Sequence, residues 1–144
     1  MKIELNPIGF VQNQIRNKNF NNVSETISFI ILKSDIPQDA LIGIEDFSHL
    51  EIIWYFHKNI DKENFLIFPR GDKNLQKRGI FATRSPVRPN HIATTVVQLI
   101  DIEGHILSVK GLDALDGSPV LDIKPLTLKF LPDTPIIQPA WVGC

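Results

Sequence analysis

The sequence predicts a mainly β domain, a sandwich or a small barrel, and three observations carry that reading. Seven or so short runs rich in β-branched and aromatic residues are spread along the 144 residues. No stretch sustains the 3.6-residue periodicity of an amphipathic helix. The runs do not alternate with helical segments, as the crossovers of a parallel sheet would require.

The first run, IELNPIGFV, carries Pro7 near its start and reads as an edge strand or a strand entrance, because proline has no ladder donor. ETISFIILKS, Glu25 to Ser34, alternates early and then turns continuously apolar, the pattern of a strand buried on both faces. PQDALIGIEDFSH gives a weak helical signal, one turn or two after Pro37, closed near Gly43. HLEIIWYFH, His49 to His57, repeats the apolar character of the second run. FLIF at 65–68 and GIFA at 79–82 are shorter candidates. IATTVVQLIDIEGHILSVKG reads as two strands joined by a turn at Glu103-Gly104. VLDIKPLTLKF, Val120 to Phe130, completes the set, with Pro125 breaking or bending it. The tail LPDTPIIQPAWVGC holds three prolines and is expected to lie extended over the surface or over a partner subunit. The chain thus divides into a domain over 1–130 and a tail over 131–144.

A hydrophobic share of 43% with 22% charged residues places the chain among globular domains long enough to bury a core. A net charge of -1 argues against gripping nucleic acid by bulk positive charge, although Arg70, Lys73, Lys77, Arg78, Arg84 and Arg88 crowd one region. The single cysteine, Cys144, allows no intrachain disulfide, which fits a reducing compartment. The opening MKIELNPIGF lacks a long apolar signal region, and no run approaches the roughly 18 apolar residues of a membrane span. A cytoplasmic protein without membrane contact is expected.

Most chemistries leave no mark. His49 and His57, or His91 and His105, stand at spacings unlike those of zinc motifs, so no metal site is expected. There is no G-x-S-x-G elbow, no G-x-G-x-x-G and no P-loop, which weakens every Rossmann-based reading. Two dense segments remain. In GIFATRSPVRPN, Ile80-Phe81-Ala82 suits a short strand, after which Pro86 and Pro89 forbid sheet. A stiff loop then displays Thr83, Arg84, Ser85, Arg88 and Asn90. GLDALDGSPVLDIKP sets Asp113, Asp116 and Asp122 around a tight-turn Asp-Gly pair. By composition it is either a solvated hairpin turn or a carboxylate-bearing turn for a cationic or amine-bearing ligand.

Taken in this order, the two segments resemble the TsaA/TrmO family. Its members carry G-hydrophobic-F-A-T-R-S-x-x-R-P-N and then G-x-D-x-hydrophobic-D-G-[ST]-P-V-x-D-I-K-P. LIGIEDFSHLEIIWYFH is similar to the family's L-x-G-[IL]-E-x-F-S-H block, and NPIGFV matches its opening. The resemblance runs from Ile3 to Phe130. It implies a small antiparallel β-barrel, unrelated to Rossmann methyltransferases, with few short helical turns. It also implies S-adenosylmethionine as cofactor and N6-methylation of the threonylcarbamoyl-adenosine adjacent to the tRNA anticodon. A homodimer with cofactor sites near the subunit interface is the family's usual form. The alternatives are an S-adenosylmethionine-binding protein that transfers no methyl group, and a methyltransferase with another acceptor.

Carried onto this chain, the resemblance implies cofactor contacts from Arg84, His57, Lys58, Thr94 and the turn Ala114-Leu115-Asp116-Gly117. Arg84 would meet the methionine carboxylate or the ribose with its planar donor fork. Catalytic positions fall on Asp113 and Asn90, and substrate positions on Ser85 and Arg88. Arg88 and Asn90 have a second reading, locking the loop through its backbone. Arg70 and Lys73, with Lys77 and Arg78, suit phosphate contacts, solvated charge being the other reading. The chain departs from the family pattern at His91-Ile92-Ala93, where P-I-G is usual, at Leu126, where tyrosine is usual, and in the asparagine-rich loop QNQIRNKNFNNV.

Overall fold

Alternation along the strands builds the molecule. The computed structural model describes residues 1–58 and 63–143; Cys144 lies outside them. Among the described residues, eight strands follow the chain: β1 Gly9–Gln12, β2 Ile27–Leu32, β3 His49–Tyr55, β4 Leu66–Ile67, β5 Arg78–Gly79, β6 Ile92–Glu103, β7 Ile106–Lys110 and β8 Pro119–Pro125. Six of them close an antiparallel barrel in the order β1-β2-β7-β6-β3-β8, while β4 and β5 form a separate two-stranded ribbon. Closure leaves the barrel strands no free edge. Among the described residues, helical content is limited to short 3₁₀ turns.

Most inward positions are apolar and fully buried: Ile30 of β2, Leu50 and Ile52 of β3, Val97 of β6, Leu107 and Val109 of β7, and Val120 of β8. Each such side chain contributes about 1.5–3 kcal/mol by leaving water. Leu112 and Ala114, from the segment joining β7 to β8, pack into the same cluster and plug one end of the barrel.

Several expectations are corrected. The run over β2 is not buried on both faces: Ile27, Phe29 and Ile31 are 39–41% exposed while Ser28, Ile30 and Leu32 point inward. Its continuous apolar character belongs to an outward stripe that continues to Phe10 and Ile106, both paired with Ile31. β3 is likewise one-sided, with His49 exposed and Ile53 and Tyr55 half-buried. β1 is not an edge, since it pairs with both β2 and β8, and Pro7 stands at its entrance. Gly9 is required there, because a Cβ would lie 2.5 Å from the Ile31 carbonyl oxygen. Ile80–Ala82 is a 3₁₀ turn rather than a strand. Only Ile80 finds a buried site, and the Thr83 N–H and hydroxyl both donate to its carbonyl.

Other expectations hold. Two 3₁₀ turns, Gln38–Leu41 and Ile44–Asp46, flank Gly43, whose φ of 88° suits glycine. β6 and β7 form the expected hairpin, with its turn at Gly104-His105, one residue beyond the expected Glu103-Gly104. β8 ends at Pro125. No helix among the described residues is long and apolar enough to cross a membrane.

Candidate functional site at one barrel mouth

Antiparallel closure brings six strand ends together at one mouth: the ends of β1, β7 and β3 and the starts of β2, β6 and β8. β6 outruns its neighbour there. Its pairing with β7 begins only at Gln98, whereas its pairing with β3 extends back to Ile92. The loop segments therefore find open strand to dock on.

Both dense sequence segments do so, on consecutive residues. The Arg84 guanidinium donates from Nη2 to the Thr94 carbonyl at 2.6 Å. Asp113 Oδ1 accepts from the Thr95 hydroxyl at 2.5 Å, and Thr95 Oγ1 in turn accepts from Trp54 Nε1 at 3.0 Å. The Thr94 hydroxyl faces the other way and donates to Glu51 at 2.8 Å.

The turn after Asp113 is held by the asparagine-rich loop, which the sequence marked only as a departure from the family pattern. The Asn13 side-chain amide is buried and donates to the Ala114 carbonyl and to Ser28 Oγ, both at 2.9 Å. Its Oδ1 accepts from Ile15 N–H, and its own backbone N–H donates to Asp116 Oδ1, also at 2.9 Å. Asp116 N–H returns a bond to Ile15 O at 2.8 Å, and Gly117 N–H donates to Val11 O at 2.7 Å. Arg16 lies 3.3 Å from Asp116 Oδ2, an exposed pair of little energetic weight. Gly117 has φ 83°, which demands glycine. The amides of Asp116, Gly117 and Ser118 are thus all engaged within the chain. Among the described residues the Leu115 N–H finds no such acceptor, and Leu115 is half-buried.

His57 follows β3 and meets this turn. Its Nε2 lies 3.6 Å from where a Cβ on Gly117 would stand, and its Nδ1 is 3.3 Å from the buried Ser118 Oγ. The Ser118 hydroxyl and His57 Nδ1 share a hydrogen bond whose direction follows the ring tautomer. The His57 pKa is lowered, first by burial and then by Lys58, with Asp116 opposing. The unfolded chain therefore takes up this proton first, near the ordinary value of about 6.5. Stability is complete above that pH and falls as the pH drops from it through the lower folded midpoint. Thermal melts between pH 7.5 and 5 should show a shallower acid decline in His57→Gln than in the parent; equal declines would remove His57 from the account.

The remaining predicted residues sort as follows. Arg88 donates to the Thr83 and Ser85 carbonyls at 2.9 and 3.3 Å, so the loop-locking reading fits it. Asn90 is exposed with φ 63°, and His91, with φ 50°, places its Nδ1 2.9 Å from the Pro86 carbonyl. A proline could not adopt that φ. Ser85 sits within the loop, its N–H 3.3 Å from Thr83 Oγ1. Lys58 and Lys73 are exposed. Arg70 lies away from the mouth residues' bonding network: it donates to the Val142 and Trp141 carbonyls at 2.8 and 3.1 Å, while Arg78 lies over the Trp141 ring at 5.5 Å. The tail is thereby pinned to the β4–β5 ribbon.

Fold and mouth define a small closed β-barrel with a loop-built candidate site, distinct from the crevice of a parallel nucleotide-binding sheet. The chain belongs to the tRNA-methyltransferase O N-terminal domain family, whose model matches residues 11–130. It is 40% identical over 131 residues to a probable S-adenosyl-L-methionine-binding protein of Methanothermobacter thermautotrophicus, covering 87% of this chain and 90% of the relative. It is 39% identical over 105 residues to the tRNA (adenine(37)-N6)-methyltransferase of Homo sapiens, covering 72% of this chain and 23% of that one. A crystal structure of TrmO from Pseudomonas aeruginosa superposes with a TM-score of 0.74 at 29% identity, over 94% of this chain and 61% of that chain. The chain thus spans nearly the whole of the archaeal relative but less than two thirds of the solved structure and about a quarter of the human enzyme.

Proposed function

We propose that this chain is an S-adenosylmethionine-dependent methyltransferase that acts on tRNA adenine, on the N6 of the threonylcarbamoyl-adenosine next to the anticodon. The observation that carries the reading is the docking of Arg84 and Asp113 on the consecutive residues Thr94 and Thr95 at one barrel mouth. The donor set fits the cofactor. An oriented guanidinium suits the methionine carboxylate, the carboxylates of Asp113 and Asp116 suit ammonium or ribose hydroxyls, and the Leu115 N–H beside an apolar side chain suits an adenine edge. His57, its pKa lowered by burial, adds a ring nitrogen beside Gly117. Lys58 and Thr94 stand on the same rim.

Bound S-adenosylmethionine supplies a methyl group already activated on sulfonium, so positioning is the main protein contribution. The acceptor amine is a weak nucleophile whose lone pair is delocalised, and it must also lose a proton. Asp113 presents Oδ2, which has no hydrogen-bond partner among the described residues, to take that proton. Asn90, exposed on the opposite loop, can accept a hydrogen bond from the same amine. Ser85 and Arg88 shape the loop that faces the substrate.

The functional unit is a cytoplasmic homodimer in this reading, with residues 1–130 as the domain and 131–144 as the tail. The stripe of Phe10, Ile27, Phe29, Ile31 and Ile106 supplies an apolar face for a second copy. It runs into a cavity of about 640 Å³ lined by Gln12, Asn13, Gln14, Asn22, Ile27 and Phe29 among others, which abuts the loop holding Asp116. A partner there would sit beside the cofactor turn.

Lys73 and Lys77 remain exposed on the ribbon and suit tRNA phosphates, whereas Arg70 and Arg78 hold the tail. In filter binding over a salt series, Lys73→Ala should weaken tRNA binding and reduce the salt slope by about 0.7–0.9. An unchanged slope would exclude a Lys73 contact. The decisive experiment is nucleoside mass spectrometry of tRNA incubated with the protein and S-adenosylmethionine. Appearance of N6-methylated threonylcarbamoyl-adenosine supports the proposal; an unchanged nucleoside profile with calorimetric cofactor binding points instead to a binding protein. That second reading draws on the archaeal relative of nearly equal length, which is named for binding alone.

A further inference from the structure

We infer that Thr95 and Trp54 form a one-way hydrogen-bond chain that orients the Asp113 carboxylate, making Thr95 a positioning residue for the reaction. The inference rests on the methyl-transfer reading of the mouth and adds a supporting layer beneath it.

The direction of the chain follows from chemistry. An indole N–H only donates, so Thr95 Oγ1 must accept from Trp54 Nε1 at 3.0 Å. An ionised carboxylate only accepts, so the single proton of Thr95 must point to Asp113 Oδ1. The hydroxyl has no freedom left: each neighbour fixes its orientation. Trp54 is itself immobile, 3% exposed and packed edge-on against Phe56 at 4.7 Å between ring centroids. It projects from the end of β3, beside Ala93 on β6 and Val120 on β8.

The consequence reaches the mouth. Asp113 lies on a non-strand segment and is exposed, so its side chain would otherwise sample several rotamers. Pinning Oδ1 to a rigid strand leaves one carboxylate oxygen, Oδ2, presented in a fixed direction. The same strand carries the Arg84 anchor one residue earlier. Acid and guanidinium are therefore registered against one another by the pleat of β6 rather than by either loop. Removing the hydroxyl should disturb the step that uses Asp113 while leaving the Arg84 side of the site in place.

The test compares Thr95→Val, Thr95→Ser and Asp113→Asn. With S-adenosylmethionine and unfractionated tRNA, Thr95→Val should lower kcat about 10- to 100-fold with little change in the cofactor KM, the effect of losing a hydrogen bond to a charged group. Thr95→Ser, which keeps the hydroxyl, should restore most of the rate. Equal loss in both variants would make Thr95 a packing residue and overturn the inference. Independently of turnover, the Trp54 indole N–H resonance, assigned with Trp141→Phe, should move in both Thr95→Val and Asp113→Asn. If Asp113→Asn leaves it unmoved, the chain is not coupled and the inference fails. A parent protein that methylates no tRNA but shows the coupled indole shifts would sink the functional reading alone, and the chain of Trp54, Thr95 and Asp113 would stand.

Discussion

Alanine at Arg84 is expected to weaken S-adenosylmethionine binding about 100-fold, the equivalent of about 3 kcal/mol for removing a charge-assisted hydrogen bond. The size of the effect follows from how the guanidinium is held. Nη2 is already engaged with the Thr94 carbonyl at 2.6 Å, so the rest of the planar fork is oriented before any ligand arrives. A carboxylate meeting it gains paired hydrogen bonds without first ordering a long side chain. Lysine at this position keeps the charge and loses the fork, so Arg84→Lys should recover only part of the affinity. Arg84 is exposed, and water can replace it at Thr94 O. The variant should therefore fold normally, which separates loss of binding from loss of structure. Titration calorimetry beside a thermal melt decides it: unaltered affinity in Arg84→Ala would remove Arg84 from the cofactor site.

What the sequence made legible was the fold class, the family and most of the strands, because turn residues and β-branched runs have local causes. Burial was harder to read. Ile27, Phe29 and Ile31 look like core residues in one dimension, yet the pleat turns all three outward. Apolar composition reports that a surface is to be covered, not whether this chain covers it. GIFA misled for a related reason: Ile80 alone finds a buried site, and the ladder is made one step earlier, by Arg78 and Gly79.

The support of the site was almost invisible for a different reason. Arg84 and Asp113 stand out because their types are rare in apolar surroundings and their neighbours are turn-formers. Thr95 and Trp54 sit inside ordinary strand patterns, and their joint role appears only when β3 is laid against β6. The asparagine-rich loop after Phe10 stands out in the sequence only as a departure from the family pattern. The buried side-chain amide of Asn13 gains meaning only from partners up to 101 residues away. Thr-Thr at the open start of a long strand was the available hint, since a hydroxyl on the inward face must find partners.

Asn13 is where that hidden support should show its largest effect. Its side chain closes three hydrogen bonds in a buried position: to Ser28 Oγ, to the Ala114 carbonyl, and from the Ile15 N–H. Asn13→Ala removes all three at once and leaves a backbone donor, a backbone acceptor and a hydroxyl without partners beside a new void. Each orphaned group costs about 1–3 kcal/mol, moderated by whatever water can enter. A stability loss of about 3 kcal/mol in urea unfolding is expected. Aspartate should not rescue it, because it keeps the shape but replaces the donating amide with a buried charge. The loss should also reach the ligand, since the Ala114-Leu115-Asp116-Gly117 turn rests on this loop through the Asn13, Ile15 and Val11 contacts. At a temperature where Asn13→Ala is still folded, its cofactor affinity should fall although the Asn13 side chain is buried and its bonds all lie within the chain. A variant as stable as its parent would mean that the turn stands without the loop, and the mouth would then owe its shape to β6 alone.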